Sequence, residues 1–315
     1  MALIIGFAVC VVVTPVAARV ALATGVVDRP GPLKVHTRPV PYLGGIAVFV
    51  GLAGPVAWAH SVLLAPMGLA LLLGLADDVA DVPPRLRLAG EAVIGASAAI
   101  ALRDDLSLAG AVGTVVVVVV LLNAVNLLDG LDGLATSVAA AGALGFAVAL
   151  EGDARVTATA LAGALLGFLV WNRPPARIYL GDAGSYLVGT GLALLLVLAF
   201  VADDGVATSA GALLFVAVPV ADTTIAVVRR RRAGRPLFQG DRGHVYDQLV
   251  DMGWSSERST LACAGAQAAL VGLGLAACAM AAGPAVALVA VVIVTVGGGA
   301  LWAFTAPSAR TTRTT

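Results

Sequence analysis

Charged side chains are scarce in this chain of 315 residues: Asp, Glu, Lys and Arg together make up 12%, lysine occurs once, and 60% of the residues are hydrophobic. With a mean hydropathy of +0.99, the sequence cannot cover a soluble domain with polar groups, which excludes an ordinary soluble protein. The three cysteines lie inside apolar stretches, which argues against a disulfide framework or a zinc site. The sequence has no basic surface interleaved with aromatic residues, so nucleic acid is not an expected partner.

Long runs of apolar residues make up most of the sequence. A transmembrane helix needs about 20 predominantly apolar residues, and eleven runs approach that length. The sequence therefore predicts an all-α, polytopic integral membrane protein, with one transmembrane domain over residues 1–315 and about eleven spans. The very short break at His60 and Ser61 leaves ten spans as an alternative. The predicted spans cover residues 2–22, 43–59, 61–76, 86–102, 106–128, 133–150, 156–171, 186–201, 206–228, 259–281 and 284–304.

Basic residues are distributed unevenly between alternate loops. With the N-terminus outside, only Arg103 and Arg155 of the nineteen basic residues fall in outer loops, while the long loop 229–258 and the other inner loops hold nearly all the rest. Cytoplasmic loops are enriched in Lys and Arg, so this pattern predicts that the site faces the cytoplasm. The alanine-, valine- and arginine-rich composition with a single lysine indicates a bacterium, and therefore its inner (plasma) membrane. Six aspartates follow apolar runs on that face: Asp77, Asp78, Asp81, Asp129, Asp132 and Asp182.

The first acidic motif is Asp77-Asp78-Val-Ala-Asp81, which follows the third predicted span and precedes Pro83-Pro84. In a last helical turn, Asp81 can face the same volume as the other two carboxylates. Close anions repel one another unless a cation or a shared proton stabilises them. Since charge is costly beside lipid, we interpret the motif as part of a metal or ion site. A solvated loop is the alternative.

The second motif, Asn123-Ala-Val-Asn126-Leu-Leu-Asp129-Gly-Leu-Asp132-Gly133, ends the fifth predicted span. Steps of three residues spread side chains around a regular helix, and the two glycines favour an interruption there. An interrupted helix end at membrane depth has to line protein or water. The motif therefore predicts amide and carboxylate groups at a cavity, with a purely structural polar turn as the alternative.

A third motif joins the seventh and eighth predicted spans: it runs from Trp171-Asn172-Arg173 through Tyr179 to Gly181-Asp182-Ala-Gly184-Ser185. Its glycines permit close backbone approach, Asp182 can coordinate a cation, and the following helix N-terminus attracts phosphate. Tyr179 can stack on a base, although an interfacial tyrosine is more often a membrane anchor.

Three further ionisable features stand apart from these motifs. Glu91 and Asp222 lie inside predicted spans, where each needs a partner within the bundle, and a loop arginine is the expected alternative partner of Asp222. His244 follows Asp241-Arg242-Gly243 in the long loop. That placement indicates phosphate binding or proton transfer by His244, with an exposed histidine of no particular role as the alternative.

Taken together, these motifs resemble the polyprenyl-phosphate N-acetylhexosamine-1-phosphate transferase family, over about residues 28–253. The resemblance rests on five ordered blocks: Asp28-Arg-Pro with Lys34-Val-His36 and Pro41-Tyr-Leu-Gly44-Gly45; Asp77-Asp78-x-x-Asp81-x-x-Pro84-Arg85; the Asn123–Ala135 block; Gly181-Asp182-Ala-Gly-Ser185; and Pro219-x-x-Asp222 leading into Arg229. It implies transfer of a sugar 1-phosphate, with N-acetylglucosamine as the preferred sugar, from a UDP-N-acetylhexosamine to polyprenyl phosphate. UMP is released, and a cell-envelope glycan is initiated.

The resemblance also implies roles for individual residues. Mg²⁺, for which Mn²⁺ can substitute, is expected on Asp182 and Asp78. The expected catalytic residues are Asp77, Asp78, Asp129 and His244, and the expected substrate-binding residues are Lys34, His36, Asn126, Asp132, Asn172, Tyr179 and Arg242. The sequence departs from the family at Tyr246, where a second histidine is usual.

The lipid phosphate is largely dianionic at cytosolic pH, because its second pKa lies near 6. It needs little deprotonation, which favours direct displacement, with Asp77 or Asp78 positioning the acceptor, over a covalent aspartyl intermediate. Two other functions stay open: an intramembrane prenyltransferase, which would release pyrophosphate, and an ion-coupled transporter built on interrupted helices. The clustering of the acids at one face counts against transport. The lipid bilayer is an expected partner, and a homodimer is left open.

Overall fold

The structure is a computed structural model that describes residues 1–29, 39–202, 205–235 and 243–305. In these ranges it contains fourteen α-helices and one small hairpin of two antiparallel strands, β1 Val27–Asp28 and β2 Val40–Pro41. The helices are α1 Ala2–Thr24, α2 Gly44–His60, α3 Leu64–Ala80, α4 Pro84–Ala101, α5 Leu108–Leu128, α6 Leu134–Ala149, α7 Gly152–Asn172, α8 Gly181–Val201, α9 Gly205–Leu214, α10 Ala217–Arg232, α11 Val245–Asp251, α12 Ser256–Cys278, α13 Ala282–Val292 and α14 Gly298–Thr305.

The all-α membrane fold is confirmed, and every predicted apolar stretch coincides with a helix or a helix pair. The number of spans is not confirmed. Length and composition give seven helical stretches of the described chain that could cross a membrane, with Gly44–Ala80 counted as one, or eight if α9 and α10 form one bent span. The predicted loop 229–258 also contains regular structure, because α10 extends to Arg232 and α11 lies within it.

Helices α2 and α3 are joined by a 3₁₀ turn, Ser61–Leu63, and form an antiparallel pair against α8. Gly45, at the start of α2, and Gly74, near the end of α3, both touch the backbone of the first turn of α8. Neither position has room for a Cβ atom, since one would meet the backbone of Gly184 or Asp182. Small residues allow this close helix contact in a membrane protein, and here they bring both ends of the pair to the start of α8.

Helix α8 lies at the centre of the bundle. Nearly all of its residues are buried, and it packs against α2, α3, α5, α6, α7 and α9. The outer helices are different, because large apolar side chains such as Ile100, Leu108, Val112 and Val116 are exposed on their surfaces. That pattern is expected of a bundle whose surroundings are lipid and whose core is closed by helix packing.

The ninth predicted span is broken between α9 and α10, which are bent by 59°. A break in a membrane helix frees backbone groups that have to find other partners. Gln267, a fully buried residue of α12, supplies them: its Nε2 donates to the carbonyl of Leu214 at 2.9 Å, and its Oε1 accepts from the N–H of Val218 at 3.0 Å. One side-chain amide therefore stabilises both sides of the break.

The polar motifs meet at one end of this bundle, which we call the acidic end. Helices α3, α5, α7 and α10 finish there, and α4, α6, α8 and α12 begin there. Contacts across this end join the α3 and α8 termini, Asp132 and the loop after α7, and α10 and the start of α11.

Candidate functional site

Asp78 caps the start of α8 from a different helix. The residue before α8, Leu180, offers no capping side chain. Asp78 fills this role, because its Oδ1 accepts from the N–H of Asp182 at 2.8 Å and its Oδ2 from the N–H of Ala183 at 3.0 Å. A carboxylate at a helix N-terminus is stabilised by the unpaired N–H groups and by the helix dipole. The contact fixes the end of α3 to α8 and sets Asp182 beside Asp78.

Asp77 is buried and fully hydrogen-bonded. Its Oδ2 accepts from the Tyr186 hydroxyl at 2.7 Å and from Arg87 at 3.3 Å, while its Oδ1 accepts from the N–H of Val82 at 2.9 Å. These bonds tie α3 to α8 and α4. The catalytic role expected for Asp77 stays a prediction. Asp81 ends α3 in a left-handed conformation with φ of 49° and is exposed.

A buried polar chain extends from Asp77 into the bundle. Arg87 also lies 3.8 Å from Glu91 of the same helix, and Glu91 accepts from Nδ2 of Asn123 in α5 at 2.6 Å. The chain therefore links the first acidic motif to the second through α4. It supplies the partner that Glu91 was expected to need, and Asn123 faces this chain.

Asn126 and Asp182 form the direct contact between the second and third motifs. Nδ2 of Asn126 donates to Oδ1 of Asp182 at 2.6 Å and lies 3.1 Å from the hydroxyl of Ser185. Since Asp182 also lies next to Asp78 at the start of α8, three motifs far apart in sequence share one place.

Asp129 follows the last residue of α5, and among the described residues its carboxylate makes no hydrogen bond. Burial raises the pKa of Asp129 well above its usual range, and the charges of Asp182, Asp78 and Asp132 raise it further. Four carboxylates therefore influence one another here. We call this group the acidic site: Asp78, Asp129, Asp132 and Asp182.

The loop after α7 is held against the acidic site by two side chains. The carboxylate of Asp132 accepts from the N–H of Ala176 at 2.8 Å. Asn172 is buried, with its Oδ1 accepting from Thr136 at 2.7 Å and its Nδ2 donating to the carbonyl of Ile178 at 3.0 Å. Both ends of the Asn172 amide are occupied by the protein, so its contact with a nucleotide stays a prediction.

Tyr179, in the same loop, borders the acidic site. Its ring lies beside Tyr42, with centroids 5.9 Å apart and planes tilted by 48°, and its N–H donates to the carbonyl of Pro41 at 2.8 Å. Burial, followed by the charges of Asp132, Asp28 and Asp129, raises the pKa of Tyr179 to about 12. The two tyrosines form a partly accessible aromatic surface next to the carboxylates.

His244 and Asp222 form a buried pair at the acidic end. Nδ1 of His244 lies 2.6 Å from Oδ2 of Asp222, and the two side chains are 4% and 3% exposed. The partner of Asp222 is therefore the histidine of the long loop, and the arginine alternative is not needed. Lys34, His36 and Arg242 lie outside the described residues.

A cavity of about 640 Å³ opens beside this pair. Its walls come from α5, α9, α10, α12, α13 and α14 and are almost entirely apolar, as at Val116, Val120 and Leu301. Near the acidic end it reaches Asp222 and Tyr246. The cavity thus combines a long apolar wall with a polar end.

The acidic site suits a hard divalent cation better than a transition metal. In the ranges that the structure describes, no three His, Cys, Asp or Glu side chains form a complete metal site. Mg²⁺ does not require one, because it is usually held by one or two carboxylates together with water and substrate phosphates. Asp182 and Asp129 have the appropriate oxygen ligands, and a cation would offset the repulsion within the acidic site.

Several residues of the site were not predicted from their sequence. Tyr186 and Arg87 hold Asp77, and Tyr42 lies beside Tyr179. Tyr186 follows the third motif directly. Tyr42 lies within the first block of the resemblance, which was the one available signal for it.

Most of the chain is similar in sequence to known bacterial proteins. Residues 60–200 match the sequence model described as glycosyl transferase family 4. A probable undecaprenyl-phosphate N-acetylglucosaminyl 1-phosphate transferase of Bacillus subtilis is 27% identical over 83% of this chain and 80% of its own length. A decaprenyl-phosphate N-acetylglucosaminephosphotransferase of Mycolicibacterium smegmatis is 30% identical, over 76% and 72%. An undecaprenyl-phosphate alpha-N-acetylglucosaminyl 1-phosphate transferase of Thermotoga maritima is 32% identical, over 72% and 73%.

Proposed function

This chain belongs to glycosyl transferase family 4, and on that premise we propose that it transfers N-acetylglucosamine 1-phosphate from UDP-N-acetylglucosamine to a polyprenyl phosphate. The products are a polyprenyl-diphosphate sugar and UMP. The relatives reported above carry this activity in their names. Neither the prenyltransferase nor the transporter alternative gains support from them.

The observation that carries the proposal is the meeting of three motifs at the acidic site. The carboxylate of Asp78 accepts from the backbone N–H of Asp182, and Asn126 donates to the Asp182 side chain. The charges of Asp78 and Asp182 both raise the pKa of Asp129. A reaction between two phosphate-bearing substrates needs such a place, because the main barrier is the approach of two anions. The acidic site can hold a cation between them, as phosphoryl transfer requires.

Mg²⁺ is the proposed cofactor, with Mn²⁺ as a substitute. Asp182 and Asp129 would hold it, and Asp78 would support Asp182 through the α8 backbone. When bound, the ion would offset the charge of the donor diphosphate. Asp77 has its oxygens occupied by Tyr186, Arg87 and Val82, so we assign it to positioning the end of α3.

The donor nucleotide is proposed to lie on the aromatic surface of Tyr179 and Tyr42. Stacking of a base on an aromatic side chain is worth about 1–3 kcal/mol, and the adjoining loop is fixed by Asp132 and Asn172. This arrangement would direct the diphosphate toward the acidic site and the start of α8, where backbone N–H groups favour anions.

The acceptor lipid is proposed to occupy the apolar cavity. A polyprenyl chain is hydrocarbon apart from its phosphate, which matches a cavity with apolar walls and a polar end at Asp222 and Tyr246. The phosphate would then lie near the acidic end while the chain continues toward lipid.

The chemical step is proposed as a direct displacement. An oxygen of the lipid phosphate forms a bond to the sugar-bearing phosphorus of the donor. The bond from that phosphorus to the bridging oxygen breaks, and the oxygen leaves with UMP. Because the attacking phosphate is largely dianionic, the protein has mainly to align the two groups. Asp129 makes no hydrogen bond among the described residues, so its oxygens would be available to the cation during this step.

The multi-pass membrane protein is proposed to lie in the bacterial inner membrane, with its acidic end in the cytoplasm and its N-terminus outside. The excess of arginine in the loops at the acidic end supports this orientation. UDP-sugars are cytosolic, so the donor would reach the acidic site directly.

The test is a reconstituted reaction. Purified protein in lipid nanodiscs receives polyprenyl phosphate, Mg²⁺ and a panel of UDP-sugars, and the lipid product is identified by mass spectrometry while UMP release is followed. We expect UMP and a polyprenyl-diphosphate N-acetylglucosamine. Release of pyrophosphate, or no product with any UDP-sugar, would overturn the proposal.

A further inference from the structure

We propose that Asp222 and Tyr246 are positioning residues that fix the ring of His244, so that its Nε2 is presented to the diphosphate or to the attacking phosphate. This inference rests on the function proposed above. Neither Asp222 nor Tyr246 takes part in the displacement step described above.

The first support for the ring comes from Asp222. Oδ2 of Asp222 lies 2.6 Å from Nδ1 of His244, and Oδ1 accepts from the N–H of Val245 at 2.7 Å. A carboxylate can only accept, so this contact assigns the proton to Nδ1 and leaves Nε2 as the acceptor. Among the described residues, Nε2 makes no hydrogen bond of its own. A buried imidazole with one nitrogen fixed and the other open is suited to a substrate.

The second support comes from Tyr246. Its ring stacks on His244, with centroids 5.4 Å apart and planes 9° from parallel. Its hydroxyl donates to the carbonyl of Leu127 at 3.1 Å, two residues before Asp129. Gly130 lies under the ring, where a Cβ would collide with it. Tyr246 therefore fastens the start of α11 to the end of α5, which connects His244 to the acidic site.

The start of α11 completes the arrangement. The side chain of Asp247 accepts from the backbone N–H of His244 at 3.3 Å and so holds the first turn of α11. The surroundings of His244 are therefore set by bonds on both its backbone and its ring. The titratable and charged groups that face it or its partner are Asp222, Arg229, Tyr246, Asp247 and Cys263.

A fixed imidazole can perform two tasks at this place. In its neutral form, Nε2 can accept a proton, and in its protonated form it can donate a hydrogen bond to a phosphate oxygen. Either task requires the ring to keep one orientation. Tyr246 occupies the position where the resemblance leads one to expect a second histidine. In the part of the chain that the structure describes, His244 is therefore the one imidazole at the site, and an aromatic neighbour holds it.

The deciding variant is Asp222→Asn. Val245 and Nδ1 of His244 face different oxygens of Asp222, and the asparagine has an oxygen at only one of these two positions. If it keeps the backbone bond, its NH₂ group faces Nδ1, and the proton of the ring has to move to Nε2. We expect ¹⁵N NMR of the full-length protein, with labelled histidine, to report this exchange of tautomer. The chain has three histidines, and the His244→Gln spectrum identifies the relevant signal. An unchanged tautomer would overturn the inference, and this measurement needs no activity.

The kinetic test separates positioning from folding. We expect Asp222→Asn to lower kcat for UMP release by about 10- to 100-fold, with a smaller change in KM for the UDP-sugar. In a His244→Gln background the same substitution should cost nothing further, because Asp222 acts through the ring. Equal losses in both backgrounds would mean a purely structural role. Asp222→Glu should recover part of kcat. The matched control is Asp153→Asn, which makes the same chemical change at an exposed site at the other end of the bundle and should leave kcat unchanged.

Tyr246 is tested by a pair of variants. Tyr246→Phe keeps the stack and loses only the hydroxyl bond, whereas Tyr246→Leu loses both. We expect the leucine variant to lower kcat clearly more than the phenylalanine variant, at equal yield of folded protein. Equal kcat values for the two would remove the stacking role. If the wild-type protein releases no UMP, the proposed function fails, while the tautomer measurement still decides the role of Asp222.

Discussion

The roles of Asp78 and Asp182 can be separated by the same chemical change. Asp78 accepts two N–H groups of the first turn of α8, and hydrogen bonds to charged groups contribute about 1.5–3 kcal/mol each. Asp78→Asn keeps one oxygen and turns an NH₂ group toward an N–H. It should thus remove one bond and the charge that strengthens the other. Relief of repulsion within the acidic site offsets part of this loss. We expect a net destabilisation of about 2 kcal/mol.

Asp182→Asn should behave differently. Its remaining oxygen can still accept from Asn126, which lies 2.6 Å away, and one negative charge leaves the acidic site. Without Mg²⁺, this variant should be as stable as the wild type or slightly more so. With Mg²⁺ and both substrates, it should show almost no UMP release, because the proposed metal ligand is gone.

Two measurements decide between these expectations. Thermal unfolding, followed by the fluorescence of the four tryptophans, gives Tm in Mg²⁺-free detergent solution for the wild type and both variants. UMP release is then measured at a temperature where all three are folded. A wild-type Tm for Asp78→Asn would refute the capping role of Asp78, and a wild-type rate for Asp182→Asn would refute the metal-binding role of Asp182.

Three further predictions concern other contacts. Gln267→Leu leaves the carbonyl of Leu214 and the N–H of Val218 buried without partners, so it should destabilise the protein by about 2–4 kcal/mol; a wild-type Tm would contradict this. Tyr186→Phe removes a hydrogen bond to Asp77 and should lower kcat by about 5- to 10-fold, equivalent to about 1 kcal/mol. The change in kcat is compared with the change in KM for the same variant. EDTA should stop UMP release and Mn²⁺ should restore it, whereas EDTA-resistant turnover would exclude the metal proposal.

The helices and the clustering of the aspartates could be predicted from sequence because both depend on local patterns. Apolar runs near the length of a bilayer span give the helices, and their ends give the positions of Asp77, Asp129 and Asp182. Asp182 was predicted beside a helix N-terminus, and it lies there. What hydropathy does not determine is the number of crossings, since the apolar stretch Gly44–Ala80 does not show that the chain reverses direction at Ser61–Leu63.

The contacts between distant residues could not be predicted in this way. Asp78 caps a helix more than a hundred residues away, and Asp222 pairs with a histidine in a loop rather than with the adjacent arginines. Each of these pairs forms because helix packing brings two distant segments together. The sequence around one residue does not indicate which distant residue will be its partner. Gln267 is a similar case, because a lone amide in an apolar helix does not indicate which backbone groups it satisfies.

The enclosed position of α8 has a consequence for biosynthesis. A chain is made from its N-terminus, and five of the six helices that surround α8 precede it in the sequence. When α8 leaves the ribosome, most of its neighbours are already in the bilayer, so it has to cross lipid once and then enter a space that they border. Its apolar character is needed for that passage, and its small residues are needed for the final fit.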